Sequence, residues 1–189
     1  MSLRTVEPPQ TPVVIPVALG NVLLNPGFET GDFTGWTPYI NDANGSVSVT
    51  NGYSNTGKFS CVGWAIGATY AYITSATLPN IPTSSISSAV FYGMGTTPAY
   101  GPYVEVTLFF SDHANVVWDV DVTANGFAMI WHREDMVGQG MFPASSHLTG
   151  IRFGFTAWGP TYSAYQWIDD ISINVQAGGP SSIYFYPPQ

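Results

Sequence analysis

Along Val116-Val117-Trp118-Asp119-Val120-Asp121-Val122, the residues Trp118, Val120 and Val122 fall on one side of an extended chain and both Asp on the other. Ile151-Arg152-Phe153-Gly154-Phe155 and Ile171-Ser172-Ile173-Asn174-Val175 alternate in the same way. Such a period of two only buries its apolar residues in a half-covered antiparallel sheet, and no stretch carries the 3.6-residue period of an amphipathic helix. Further candidate strands are Val47–Thr50, Lys58–Trp64, Tyr70–Thr74, Ser87–Met94, Tyr103–Ser111 and Phe127–Trp131. Turn signals separate them: Asn44-Gly45, Asn51-Gly52, Thr97-Pro98, Asn125-Gly126 and Gly159-Pro160. About nine short strands at this spacing predict an all-β fold, an antiparallel jelly-roll β-sandwich. The sandwich is expected over residues 21–175. Residues 1–20 form an extended N-terminal arm, and residues 176–189, opened by Gly178-Gly179-Pro180, a docked C-terminal tail. There is no internal repeat.

The size, 189 residues, suits one such domain with tails. Only 8% of residues are charged, and the net charge is −8 with four Lys and Arg in all. A phosphate-binding surface needs clustered basic side chains, so nucleic acid is excluded as a partner. The 45% hydrophobic and 15% aromatic content excludes disorder of the body. The single cysteine, Cys61, rules out an internal disulfide or a cysteine-based zinc site and reads as a small buried hydrophobe. No apolar run approaches the roughly 18 residues of a membrane-spanning helix, so no membrane insertion is expected. Four prolines break up the first twenty residues, which therefore do not read as a secretory signal. Sparse charge with abundant Thr, Ser, Asn, Gly and aromatics nevertheless suggests an extracellular or surface-displayed protein.

Two separated segments carry a resemblance. Asn21-Val22-Leu23-Leu24-Asn25-Pro26-Gly27-Phe28-Glu29-Thr30-Gly31-Asp32-Phe33-Thr34-Gly35-Trp36 resembles the opening of carbohydrate-binding-module-like jelly rolls, relatives of the galactose-binding-like sandwiches. Trp167-Ile168-Asp169-Asp170-Ile171-Ser172-Ile173 resembles their closing strand, and Ser54-Asn55-Thr56-Gly57-Lys58-Phe59-Ser60 their small Ser/Gly motif. The resemblance spans about residues 21–175 and implies the fold more strongly than the function. It also implies a structural Ca²⁺, carried here by Glu29 and Asp169 with Asp170 and the carbonyls around Gly57 and Lys58. An oxygen-only donor set of that kind suits a hard divalent cation. The other reading of the same residues has Glu29 capping a turn, with Asp169 and Asp170 solvated or hydrogen-bonded at a strand end.

Catalytic chemistry is hard to find. His113, His132 and His147 have no metal-binding spacing, and no serine sits in a G-x-S-x-G elbow. The run His132-Arg133-Glu134-Asp135 reads as a solvated loop or strand end. A glycosidase needs two carboxylates across a cleft, and Glu105, read as leaning inward, is the one additional candidate. The protein is expected not to be an enzyme. Six Trp and eleven Tyr are a more promising resource. Trp36 and Trp118 read as core. Trp158, in a loop-like sequence, and Tyr100 and Tyr103, beside Pro98 and Pro102, are the candidate platforms for a glycan.

In Pro12-Val13-Val14-Ile15-Pro16-Val17-Ala18-Leu19, the side chains of Val13, Ile15, Val17 and Leu19 share one face, and both prolines fall on the alternate positions. Pro12 and Pro16 therefore remove backbone donors from one edge only. A strand of this type protects an edge or completes a neighbour's sheet. Two functions follow. The first is a non-catalytic structural protein of a cell or spore surface, whose copies assemble into a fibre or coat through this strand. The alternative is a carbohydrate-binding module recognising a glycan through exposed aromatics.

Overall fold

The computed structural model describes residues 13–15, 20–41, 43–66, 71–96, 102–123, 129–157, 164–176 and 183–185. Its strands in chain order are β1 (Val13–Ile15), β2 (Gly20–Asn21), β3 (Trp36–Ile40), β4 (Gly45–Thr50), β5 (Ser60–Ala65), β6 (Ala71–Ser75) and β7 (Ile81–Pro82). They continue with β8 (Ile86–Gly95), β9 (Pro102–Phe110), β10 (Val116–Asp121), β11 (His132–Asp135), β12 (His147–Ala157), β13 (Gln166–Val175) and β14 (Ile183–Phe185). One sheet runs β10-β9-β12-β6-β3, with β7 added to β12; the other runs β11-β8-β13-β5-β4, with β2 added to β13. All pairings are antiparallel. The two sheets face each other as a sandwich, as the alternation requires.

Alternation sorts the side chains into the two layers. Val104, Val106 and Leu108 of β9 and Ile151, Phe153 and Phe155 of β12 are fully buried, opposite Phe91 of β8 and Ile168 and Ile173 of β13. Phe91 and Phe153 meet edge-on across the sandwich with centroids 5.1 Å apart. Trp36 is in the core as expected, against Phe28 at 5.7 Å and Phe153 at 6.1 Å. Its indole Nε1 donates to the Asn25 carbonyl at 3.2 Å. Cys61 is fully buried, and burial pushes its thiol well above the usual range, so it is unavailable for linking chains.

The first and last motifs meet because Asn21 ties them. Its Nδ2 donates to the Ile171 carbonyl at 2.9 Å, and its Oδ1 accepts from Ile173 N–H at 3.0 Å. Ile171 N–H in turn donates to the Pro26 carbonyl at 3.0 Å.

Several elements depart from the sequence expectation. The expected strand Phe127–Trp131 lies partly outside the described residues, and its described part, residues 129–131, is not a strand. The polar run after it, expected as a loop or strand end, forms the edge strand β11, paired with β8 from His132↔Gly93 to Asp135↔Val90. An edge tolerates such a charged strand because one of its sides faces water. Trp36–Ile40, which is not among the strands read from the sequence, is a strand despite Pro38; it lies at the end of its sheet, where a missing donor can face away from the sheet.

Of the N-terminal arm, Val13–Ile15 is a strand, as the proline placement predicts. Its partner is the chain's own tail, with Val13↔Phe185, Val14↔Tyr184 and Ile15↔Ile183. This intramolecular pairing uses one edge of the strand that the sequence reading gave to a neighbouring copy. Val17 and Leu19 lie outside the described residues.

Candidate functional site

Two places on the sandwich gather polar chemistry. The first joins the acidic residues of the opening and closing motifs. Glu29 accepts from Lys58 N–H at 3.0 and 3.1 Å on its two oxygens and from Phe59 N–H at 3.1 Å. Asp169 accepts from Asn55 N–H at 2.8 Å and from Asp170 N–H at 2.8 Å. Asp170 holds the Asn55 amide at 2.8 Å and the Thr56 hydroxyl at 2.7 Å. Gly57 has φ +64°, and a Cβ there would stand 2.4 Å from Glu29 Oε1, so only glycine allows this carboxylate to seat on the loop.

The sequence thus placed Glu29, Asp169, Asp170 and the Gly57–Lys58 loop together correctly. The loop turns the N–H groups of Lys58 and Phe59 toward Glu29. These donors already supply the positive poles that a cation would supply. Among the described residues, no three His, Cys, Asp or Glu side chains form a group able to hold a metal ion. The place where the resemblance implies Ca²⁺ is, in this arrangement, a carboxylate clamp closed by N–H groups. Melting curves with and without excess chelator are expected to coincide; a drop of several degrees in chelator would place a cation here.

Asp169 is fully buried at an irregularity in its strand. Asp170 has φ +46°, and the register of β13 on β8 shifts between Asp169 and Ser172. This bulge lets Ile168 and Ile171 both enter the core while Asp169 is covered by residues 55 and 56. Burial pushes its carboxyl up to about 7 despite the N–H donors.

The second place is the outer face of the β10-β9-β12-β6-β3 sheet. Register sets Tyr39, Tyr72, Gly154, Glu105 and Asp119 side by side across β3, β6, β12, β9 and β10. The neighbouring row carries Thr37, Thr74, Arg152, Thr107 and Val117. Tyr39 and Tyr72 stack with centroids 4.7 Å apart and an interplanar angle of 20°. Tyr39 is 47% exposed.

Gly154 leaves a gap in the first row. Ala71, Tyr72, Glu105, Arg152, Gly154, Phe155 and Thr156 line a small open pocket of about 110 Å³ over it. Arg152 Nη2 donates to Glu105 Oε1 at 3.0 Å and to Thr107 Oγ1 at 3.1 Å. The guanidinium lies 5.0 Å from the Tyr72 ring centroid and 5.7 Å from that of Phe109. Stacking and ion pairing hold it in one orientation. The result is an aromatic surface beside a fixed donor and a fixed acceptor. That combination suits a sugar, which offers an apolar C–H face and a ring of hydroxyls.

Of the platform residues expected from the sequence, Tyr103 sits on this same face, paired with Thr156 and Asp121 in the next row. Trp158 and Tyr100 lie outside the described residues. Glu105, read as leaning inward, instead lies on the outer face paired with Arg152. The sequence had the strand but inverted its phase, since Val104 and Val106 are the buried positions. The signal was available: Val104-Glu105-Val106-Thr107-Leu108 alternates, and a carboxylate belongs on the polar side. Tyr72 and Arg152 were missed because each is one residue on a different strand. On the opposite sheet a separate aromatic group, Trp64, Tyr165, Trp167 and Tyr53, has successive centroids 6.3, 6.0 and 5.4 Å apart, with Trp167 buried beneath it.

No family profile matches the sequence, and comparison with curated proteins finds no match. Solved structures do match. A family 61 carbohydrate-binding module in complex with β-1,4-galactotriose superimposes with a TM-score of 0.56 at 14% identity, over 82% of this chain and 99% of the module. A family 11 carbohydrate-binding module from Clostridium thermocellum, in complex with a β-1,3-1,4-mixed-linked tetrasaccharide, gives 0.52 at 11% identity over 84% and 98%. A β-1,2-glucanase from Parabacteroides distasonis gives 0.53 at 11% identity over 78% of this chain but 24% of the glucanase. The chain therefore has the jelly-roll sandwich fold of the carbohydrate-binding modules.

Proposed function

We propose that this protein is a non-catalytic carbohydrate-binding module whose ligand lies across the outer face of the β10-β9-β12-β6-β3 sheet, and which works outside the cell or at its surface. One observation carries the reading: the stacked Tyr39–Tyr72 pair continues into the Arg152–Glu105 pair around an open pocket. The shared fold supports it, and so does the weak surface charge, because sugar hydroxyls are read by hydrogen bonds and ring faces rather than by charge. Assembly of copies through the N-terminal arm finds no support, since Val13–Ile15 pairs within its own chain.

Affinity electrophoresis against β-galactan, mixed-linkage β-glucan and xylan tests the proposal. Binding to at least one is expected. Tyr72→Ala is expected to weaken it more than tenfold, the equivalent of about 1.4 kcal/mol, by removing the ring and loosening Arg152. Tyr53→Ala, on the opposite sheet, is expected to leave it unchanged. The reverse pattern would move the site to that sheet, and no binding at all would sink the reading.

A further inference from the structure

Resting on that reading, we propose that Glu105 acts as a charge filter, restricting the site to neutral glycans and turning away uronate and sulfated ones. Arg152 is the only Lys or Arg on the strands of this sheet. An exposed arginine in a sugar site ordinarily invites carboxylates, which it grips with two parallel hydrogen bonds. Here the Nη2 of Arg152 is committed to Glu105 and Thr107. Its Nε is buried without a hydrogen-bond partner, so it offers nothing to a ligand. Tyr72 and Phe109 flank the guanidinium and keep it from swinging out.

The surroundings add to the effect. Glu105 has Asp119 directly across on β10, and the next row carries Asp121. The strands of this sheet therefore set three carboxylates against one guanidinium. An anionic sugar entering the pocket would have to compete with Glu105 for Arg152 while standing beside a second carboxylate. A hydroxyl has no such conflict, because it donates to Glu105 and accepts from Nη1 of Arg152, the guanidinium nitrogen that Glu105 and Thr107 do not use. One ion pair thus serves the neutral ligand as an acceptor and a donor, and the anionic ligand as a barrier.

Glu105→Gln keeps a side-chain oxygen to receive Arg152 Nη2 but removes the charge, which frees the guanidinium to attract an anion. Binding of wild type and Glu105→Gln is measured on a neutral panel of β-galactan, mixed-linkage β-glucan and xylan, and on polygalacturonate and dextran sulfate, at two salt concentrations. The wild type is expected to bind a neutral polymer and neither polyanion. Glu105→Gln is expected to gain at least tenfold in affinity for polygalacturonate, and the gain should fade at high salt. Should Glu105→Gln fail to fold by circular dichroism, Asp119→Asn with Asp121→Asn, which leaves the Arg152 pair intact, is expected to give a gain of severalfold. A wild type that takes up polygalacturonate as well as a neutral glycan would overturn the filter and leave the binding reading standing. So would folded variants that still refuse both polyanions. A wild type and variant that bind none of the polymers would overturn the binding reading, and the filter with it.

Discussion

Gly63→Ala is expected to lower the melting temperature by on the order of 2–12 °C, since an added methyl meets a closer neighbour here than at any other glycine among the described residues. Gly63 is buried in β5, whose neighbours in the sheet are β4 and β13. A Cβ at Gly63 would stand 2.1 Å from the Phe155 ring, which comes from the facing sheet. Phe155 is itself fully buried, so the ring has no free space into which it can retreat. Overpacking of this kind costs about 1–3 kcal/mol, and about 2–4 °C accompany each kcal/mol in a domain of this size. Phe155→Leu alone removes ring volume and is also expected to destabilise. Combined with Gly63→Ala it should recover part of the loss, because the added methyl then occupies the space that the ring vacates. A double-mutant cycle read by thermal melts measures that coupling. Additive losses would show that Phe155 does not rest on Gly63.

The protein is expected to be most stable near pH 4 to 5 and to lose stability on the way to pH 8. Burial pushes Asp169 up to about 7 in the folded protein, against an ordinary value of 3.8. Between those two values the native state keeps a proton that the unfolded chain releases, so stability falls as pH rises through the window. Each tenfold in proton affinity is worth about 1.4 kcal/mol, which makes the cost at pH 8 on the order of 4 kcal/mol. His132 acts in the same direction. The Glu134 carboxylate, 2.9 Å away, is the largest cause raising it above 6.5. Its stabilisation is complete below that value and is lost as pH rises through the folded one.

Acid reverses the trend below about pH 4. Asp112 is held well below the carboxylate range, first by its hydrogen bond to His147 and then by that to Ser146. Asp135, bonded to the Gly138 and Val137 N–H groups, and Asp32, bonded to Thr30 and Thr34, are lowered too. What these three contribute is present above 3.8 and is lost as pH falls. Thermal melts from pH 3 to 8 check the profile, and Asp169→Asn should flatten the slope between pH 4 and 7. A wild-type melting temperature that climbs steadily from pH 4 to 8 would contradict it.

The acidic clamp shows how far a linear reading reaches. Glu29, Asp169, Asp170 and the loop at Gly57 could be joined from motifs more than a hundred residues apart, and they do meet. What closes the clamp was not legible, because it depends on whether N–H or carbonyl groups of residues 55–59 turn inward. That is a matter of backbone torsion, set by the positive φ at Gly57 and the contacts around it. The binding face shows a different limit. Tyr72, Arg152 and Glu105 lie on three strands, and nothing local to any of them announces the others.

The sequence by itself determined most of the strands, the faces of most of them, the sandwich and the meeting of its two end motifs. Alternation and turn chemistry act within a few residues and leave a record there. Only the tertiary structure decided which strands are neighbours, that β12 lies between β6 and β9, and hence that Arg152 stands between Tyr72 and Glu105. It also decided that the N-terminal strand meets the chain's own tail. Strand order is a choice among pairings whose backbone hydrogen bonds are alike. It is settled by how the apolar faces of the whole chain pack together, and so it is written in no single segment.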